Sequence, residues 1–157
     1  MYRFRVHAPL EAVVRFHRQS SSLIAITPPP VVMHIHHAPE YLNEGDEIDF
    51  TLRIGPLPIR WQARIEAISP IGFTDRQLTG PFADWVHRHR FVLVTVDETE
   101  VIDEVNIRLR WHPLWGPVGL FLILGLPLLF AYRSRKTRRL LERPSSIIVE
   151  GFQRWKQ

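Results

Sequence analysis

The chain has 157 residues, 45% of them hydrophobic and 11% aromatic, with 20 basic against 16 acidic side chains and a net charge of +4. That length and apolar content exclude a disordered tail and suit one domain with a sizeable core. With no cysteine in the chain, disulfides, thiolate metal sites and a cysteine nucleophile are excluded. Much of the positive excess sits in one run, Arg133, Arg135, Lys136, Arg138 and Arg139. No aromatics interleave with it, so it reads as a solvated helix end and no nucleic-acid partner is expected.

The first residues, "MYRFRVHAPLEAVVRFH", lack the apolar stretch of a secretory signal, and a cytoplasmic location is expected. Tyr2, Phe4 and Val6 alternate with arginines as in a strand, and the residues from Ala8 to Thr27 form one or two short helices ended by Pro28, Pro29 and Pro30. "VVMHIHHAPEYL" follows as a β-rich segment. His34 and His36 share one of its faces, but no third ligand lies near them in sequence, so they read as solvent-facing and no metal site is expected. A hairpin then turns at Gly55-Pro56, with Ile48, Phe50 and Leu52 facing Trp61, Ala63 and Ile65. Three further strands, "GFTDRQLTGPF", "DWVHRHRFVLVTV" and "TEVIDEVNIRLRW", complete an antiparallel meander.

In "DWVHRHRF" the parity is informative. Val86, Arg88 and Arg90 take one face and Trp85, His87, His89 and Phe91 the other, because strand side chains alternate. The arginines need water, which turns His87 and His89 inward. Asp103 shares parity with Val101 and Val105, so it too points inward, opposite or diagonal to Phe91 and within reach of His89. An inward carboxylate is costly unless paired. Glu66 and Glu104 alternate with apolar neighbours and read as outward. No Gly-rich phosphate loop, HExxH or nucleophile elbow occurs, and no cofactor is expected.

After Pro113 the chain is uncharged through Tyr132. Pro113, Gly116, Pro117 and Gly119 suggest a turn, leaving Val118–Tyr132 as helix. Fifteen residues rise about 22 Å, short of the ~30 Å hydrocarbon core of a bilayer. A wheel at about 100° per residue puts Ile123, Leu126, Pro127, Phe130, Ser134, Thr137 and Leu141 on one uncharged side. Phe121, Leu128, Tyr132, Arg135, Lys136, Arg139 and Arg143 fall opposite. This is the pattern of a long helix packed on a sheet and ending near Pro144. Phe121, Leu128 and Tyr132 remain outside as an apolar surface suited to a homodimer contact or a peripheral membrane contact.

Strand, two short helices, a meander and one long C-terminal helix is an order that resembles the START-type helix-grip superfamily, the SRPBCC ligand-binding proteins. The resemblance rests on "LIAITPPP" at 23–30, "FTDRQLTGPFADWVHRHRF" at 73–91, "TEVIDEVNIRLRWHPLWGPVG" at 99–119 and "FAYRSRKTRRLL" at 130–141. The GPF-x-x-W-x-H-x-H-x-F string is similar to that of one subgroup with no single known activity. The helix at 118–132 is more apolar than the resemblance implies, and Pro127 interrupts it.

The resemblance implies an α+β fold over residues 1–143 with a tail at 144–157. It also implies a cavity for an apolar small molecule between sheet and helix. Its walls would be Phe50, Trp61, Ile65 and Trp85, then Phe91, Val105 and Trp111, with Ile123 and Phe130 from the helix. His87, His89 and Asp103 would be its polar groups. Three readings stay open: carriage, sequestration or sensing of a lipid, polyketide or isoprenoid; an enzyme of the cyclase or dehydratase type with His87 or His89 as general base and Asp103 orienting it; and a membrane-associated protein anchored through 113–132. A satisfied buried network that only fixes strand register accounts for the same three polar residues.

Overall fold

A computed structural model describes residues 1–142, and Arg143 and the expected tail lie outside them. The elements in order are β1 (Tyr2–Val6), α1 (Leu10–Arg18), α2 (Ser20–Ala25), β2 (Val32–His37), β3 (Glu47–Ile54), β4 (Leu57–Ser69), β5 (Gly72–Thr79), β6 (Asp84–Thr95), β7 (Glu98–Arg108) and α3 (Trp115–Leu141). The strands form one antiparallel sheet in the order β1-β7-β6-β5-β4-β3-β2, so the first strand sits beside the last. The sheet curves, and α3 lies along its concave face: an α+β helix-grip fold.

Alternation positions the core. Phe50 pairs with Trp61 and Ile48 with Ala63 across the β3–β4 hairpin, whose turn holds Gly55 at φ +58°, a conformation glycine adopts without steric cost. Phe4 and Val6 of β1, Val13 of α1, Ile65 of β4, Phe91 of β6 and Val101 of β7 are all buried in one cluster. His34 and His36 are exposed on β2, next to β3 at the other edge of the sheet.

Two expectations about the end of the meander change. Strand β7 stops at Arg108, because β6 begins at Asp84, which pairs with that residue and leaves nothing beyond to bond. Trp111 therefore leaves the sheet and is fully exposed rather than part of a wall. The helix also begins earlier than expected, at Trp115. Pro117 falls in its first turn, where backbone N–H groups have no intrahelical acceptor in any case.

The two halves of α3 differ. In the second half Phe130, Ser134 and Thr137 are buried, as the uncharged stripe requires. Arg138 donates from Nε to the carbonyl of Arg5 at 2.8 Å, and Glu142 accepts the backbone N–H of His7 at 2.9 Å. In the first half Leu122, Ile123 and Leu126 pack on the core, while Leu120, Phe121, Leu124 and Leu128 stand in solvent. Pro127, expected on the packed side, is exposed. By length and composition α3 could cross a membrane, and only 11% of its most apolar window is buried.

Gly72 opens β5, paired with Arg90 of β6. A Cβ there would collide with the backbone carbonyl of His89, which no side-chain rotation relieves. Gly72→Ala should therefore lower stability by about 1–3 kcal/mol, read as a fall in the urea midpoint with an unchanged slope. An unshifted midpoint would show that β5 and β6 are free to separate.

Candidate functional site

The site is built by three adjacent strands and their register. On β5, Phe73 and Asp75 share the concave face; on β6, Trp85, His87, His89 and Phe91 do; on β7, Val101, Asp103 and Val105 do. Pairing sets Asp75 opposite His87 and Phe73 opposite His89, then His87 opposite Val105 and His89 opposite Asp103. Two imidazoles, two residues apart on one strand, are thus flanked by a carboxylate from each neighbouring strand.

The four side chains close into a ring. His87 Nδ1 lies 3.2 Å from Asp75 Oδ2, and His87 Nε2 lies 3.1 Å from Asp103 Oδ1. On the other imidazole, His89 Nε2 is 3.2 Å from the same Asp75 oxygen and Nδ1 is 2.9 Å from the same Asp103 oxygen. That last approach lacks hydrogen-bond alignment, which leaves His89 Nδ1 unsatisfied. The second oxygen of Asp75 accepts the indole N–H of Trp85 at 3.3 Å. Side-chain exposures are 4% for His87, 8% for Asp103, 11% for His89 and 18% for Asp75, so water screens the ring weakly.

Aromatic rings surround it. His87 and His89 are 3.9 Å apart between centroids, Phe73 stacks on His89 at 4.4 Å, and Phe130 of α3 meets His87 edge-on at 5.7 Å. His17, from α1, lies 4.9 Å from Phe91 and 6.2 Å from His89. Arg133, expected in solvent with the basic run, instead turns inward beside Phe130, with its guanidinium carbon 6.0 Å from that ring. Its Nε is buried without a partner.

Burial alone would lower the pKa of His87, but the Asp75 charge and the bonds to Asp103 and Asp75 outweigh it and raise the imidazole to about 9. Burial favours protonated carboxyls at Asp75 and Asp103, yet the two imidazoles hold both well below the usual range. Among the described residues His17 forms no ion pair with a carboxylate, and the more distant Asp103 charge only partly offsets its burial. Burial, helped by the charge of His89, pushes it down to about 4. Burial also lowers Arg133, against the pull of Asp103 and Asp75.

Of the residues singled out in the sequence, Trp85, His87, Phe91 and Asp103 are buried together on this face with His89, and Phe50, Trp61 and Ile65 are buried further along it. Val105, Ile123 and Phe130 pack against the same core. Asp75, His17 and Arg133 were not singled out. Asp75 shares the parity of Phe73, but Leu78 on the opposite parity leaves the inner face of that strand undecided in the sequence; a helical wheel through Val13 would have placed His17. Where a cavity was expected, aromatics meet directly: Phe50 on Trp61 at 6.1 Å, Trp61 on Trp85 at 5.2 Å and Phe82 on Trp85 at 5.3 Å. A concavity of about 300 Å³ lies on the outer face beside Thr74, Arg88 and Glu104. Another of about 270 Å³ lies beside Arg60, Arg110 and Trp115.

No family model and no curated protein sequence matches the chain. Solved structures do. A nucleoside-diphosphate sugar epimerase from Corynebacterium glutamicum is 25% identical with a TM-score of 0.65 over 89% of this chain, which spans only 28% of that protein. The Zhui aromatase/cyclase from a Streptomyces species is 15% identical with a TM-score of 0.67, covering 90% of this chain and 92% of its own. Norcoclaurine synthase from Thalictrum flavum, solved with dopamine and hydroxybenzaldehyde, is 13% identical with a TM-score of 0.64, covering 90% and 84%. The protein therefore has the helix-grip fold, which it shares with the aromatase/cyclase and the synthase among these neighbours.

His17, partly buried, and His87, buried, give stability opposite pH dependences. His17 is depressed to about 4, so its contribution is present above about 6.5, the unfolded value, and is lost as the pH falls toward 4. His87 is raised to about 9, so its contribution is full below about 6.5 and is lost as the pH rises through 9. Urea midpoints measured in EDTA should peak near pH 6.5 and fall on both sides, and His17→Gln should flatten the acid limb alone. A midpoint independent of pH between 5 and 9 would contradict the placement of both rings in the interior.

Proposed function

We propose that the protein binds an apolar small molecule bearing a hydrogen-bonding group, such as a lipid, polyketide or isoprenoid, between the concave sheet face and α3. The observation that carries this reading is the placement of Asp75, His87, His89 and Asp103 as a polar floor among Phe73, Trp85, Phe91 and Phe130. Ligand sites are commonly apolar with a few convergent polar groups. Arg133 Nε and His89 Nδ1 are buried and unsatisfied there, and a ligand oxygen would serve the Arg133 N–H.

Access runs beneath the first half of α3, which is loosely covered and ends in exposed apolar side chains. Its lifting admits the ligand without opening the sheet. The same lip, with Phe121, Leu128 and Tyr132, is a contact for a membrane surface or a second copy of the chain, consistent with a cytoplasmic protein that visits membranes. The likeness to part of an epimerase chain supports a module that serves an enzyme.

An acid–base enzyme of the cyclase or dehydratase kind is a second reading. It is favoured by His87, whose two ring nitrogens each face a carboxylate. Such a ring holds its proton and suits a general acid better than a base.

His89→Ala should weaken binding of an apolar fluorescent probe by about tenfold or more, while Arg88→Ala, one residue away on the outer face, should leave it unchanged. Equal effects would remove the binding reading. In a separate flotation assay, vesicles containing anionic lipid should carry the protein at low salt and release it as salt screens the α3 arginines. Leu124→Glu should abolish the flotation. Retention of the variant on vesicles would exclude the lip as the contact.

A further inference from the structure

The ring of imidazoles and carboxylates has two sides that differ in what their atoms can do. On one side Asp75 Oδ2 lies 3.2 Å from His87 Nδ1 and 3.2 Å from His89 Nε2. All three atoms fall within 4.8 Å of one another. Donors held at about 2.0–2.1 Å from one tetrahedral ion sit about 3.3–3.4 Å apart, so these spacings are those of neighbouring ligands around a single cation.

On the other side stands a matching outer set. Coordination through His87 Nδ1 and His89 Nε2 leaves each neutral ring one N–H; that of His87 donates to a single carboxylate oxygen, and His89 Nδ1 lies close to the same oxygen without hydrogen-bond alignment. That oxygen is Asp103 Oδ1, at 3.1 and 2.9 Å. The third ligand is held as well, since the free oxygen of Asp75 accepts from the Trp85 indole at 3.3 Å. Ligating imidazoles usually donate their remaining N–H to a carboxylate or carbonyl, which fixes tautomer and ring orientation. Here three neighbouring strands supply both shells from a rigid register.

We propose that Asp75, His87 and His89 bind a divalent first-row transition ion of the zinc type, oriented by Asp103 and Trp85. Two imidazoles and one carboxylate suit zinc, iron(II) or cobalt(II) rather than calcium or magnesium, which prefer oxygen ligands. Three protein ligands leave a coordination position free, the arrangement of a site that takes a water or a ligand oxygen. The buried charge of Asp75 and Asp103 favours the ion. Arg133, in the same interior, opposes it and keeps the affinity below that of a closed structural site. The inference is independent of the apolar-ligand reading, and failure of probe binding would leave it untouched.

The full-length protein, stripped with EDTA and dialysed, is titrated with Zn²⁺ by calorimetry and with Co²⁺ by visible absorption. One ion per chain and the intense absorption of four-coordinate Co²⁺ are expected. Asp75→Asn should lower Zn²⁺ affinity by about 100-fold and Asp103→Asn by about 10- to 100-fold, whereas His34→Ala/His36→Ala on β2 should change nothing. Because the buried variants are at risk of misfolding, a second measurement uses the unmutated chain. Bound Co²⁺ should broaden the NMR signals of Phe73, Trp85 and Phe130 and spare those of Met33 and Ile35. No binding, or broadening centred on β2 with loss of binding in the His34→Ala/His36→Ala variant, would overturn the proposal.

Discussion

A carboxylate turned into the concave face of a sheet must find positive partners, and this protein meets that need twice with the same two imidazoles. Asp75 and Asp103 come from strands on either side of β6, and each contacts both His87 and His89. Removing one member of a buried charged set typically costs about 3–5 kcal/mol, because the others keep their charge without a partner. The ring therefore constrains three strands at once. A slip of one residue in β5 or β7 would turn its carboxylate to the outer face and leave the imidazoles without it.

The long helix answers to the same constraint. Its second half must cover the ring, which explains why a cation-rich stretch still presents Phe130, Ser134 and Thr137 inward and why Arg133 leaves its neighbours to shield Nε in the interior. The first half covers aromatics that already satisfy one another, so little holds it down. Pro127 lies at the join of these regimes. It has no N–H to give the carbonyl one turn earlier, and it faces water rather than the core.

Much of this was legible wherever an element alternates cleanly. In β6 arginines occupy one parity and aromatic and imidazole groups the other, so Trp85, His87, His89 and Phe91 could be oriented without a structure. Asp103 followed from the parity of Val101 and Val105. Asp75 was hidden because "FTDRQLT" mixes polar and apolar groups on both parities, and neither face announces itself as the inner one. Arg133 was hidden inside a run whose other members do face water. Trp111 had the right parity and the wrong surroundings: orientation follows from alternation, but burial needs a neighbouring strand, and β6 supplies none beyond Arg108. The aromatic closure where a cavity was expected depends on ring angles that no periodicity encodes.

The pairing of β1 with β7 has a consequence for how the chain comes to be folded. Tyr2 lies opposite Asp103, and Phe4 opposite Val101, so the first strand made must wait for the last. Contacts this distant along the chain close late and slow folding, since a long loop must be ordered before they form. During synthesis β2 to β6 can assemble as successive hairpins, each with its predecessor. Until β7 emerges, however, β6 has an open edge, His87 and His89 lack one of their two carboxylates, and the short N-terminal strand has no sheet to join. The interior becomes electrically complete only when the strand that also pairs with β1 has arrived.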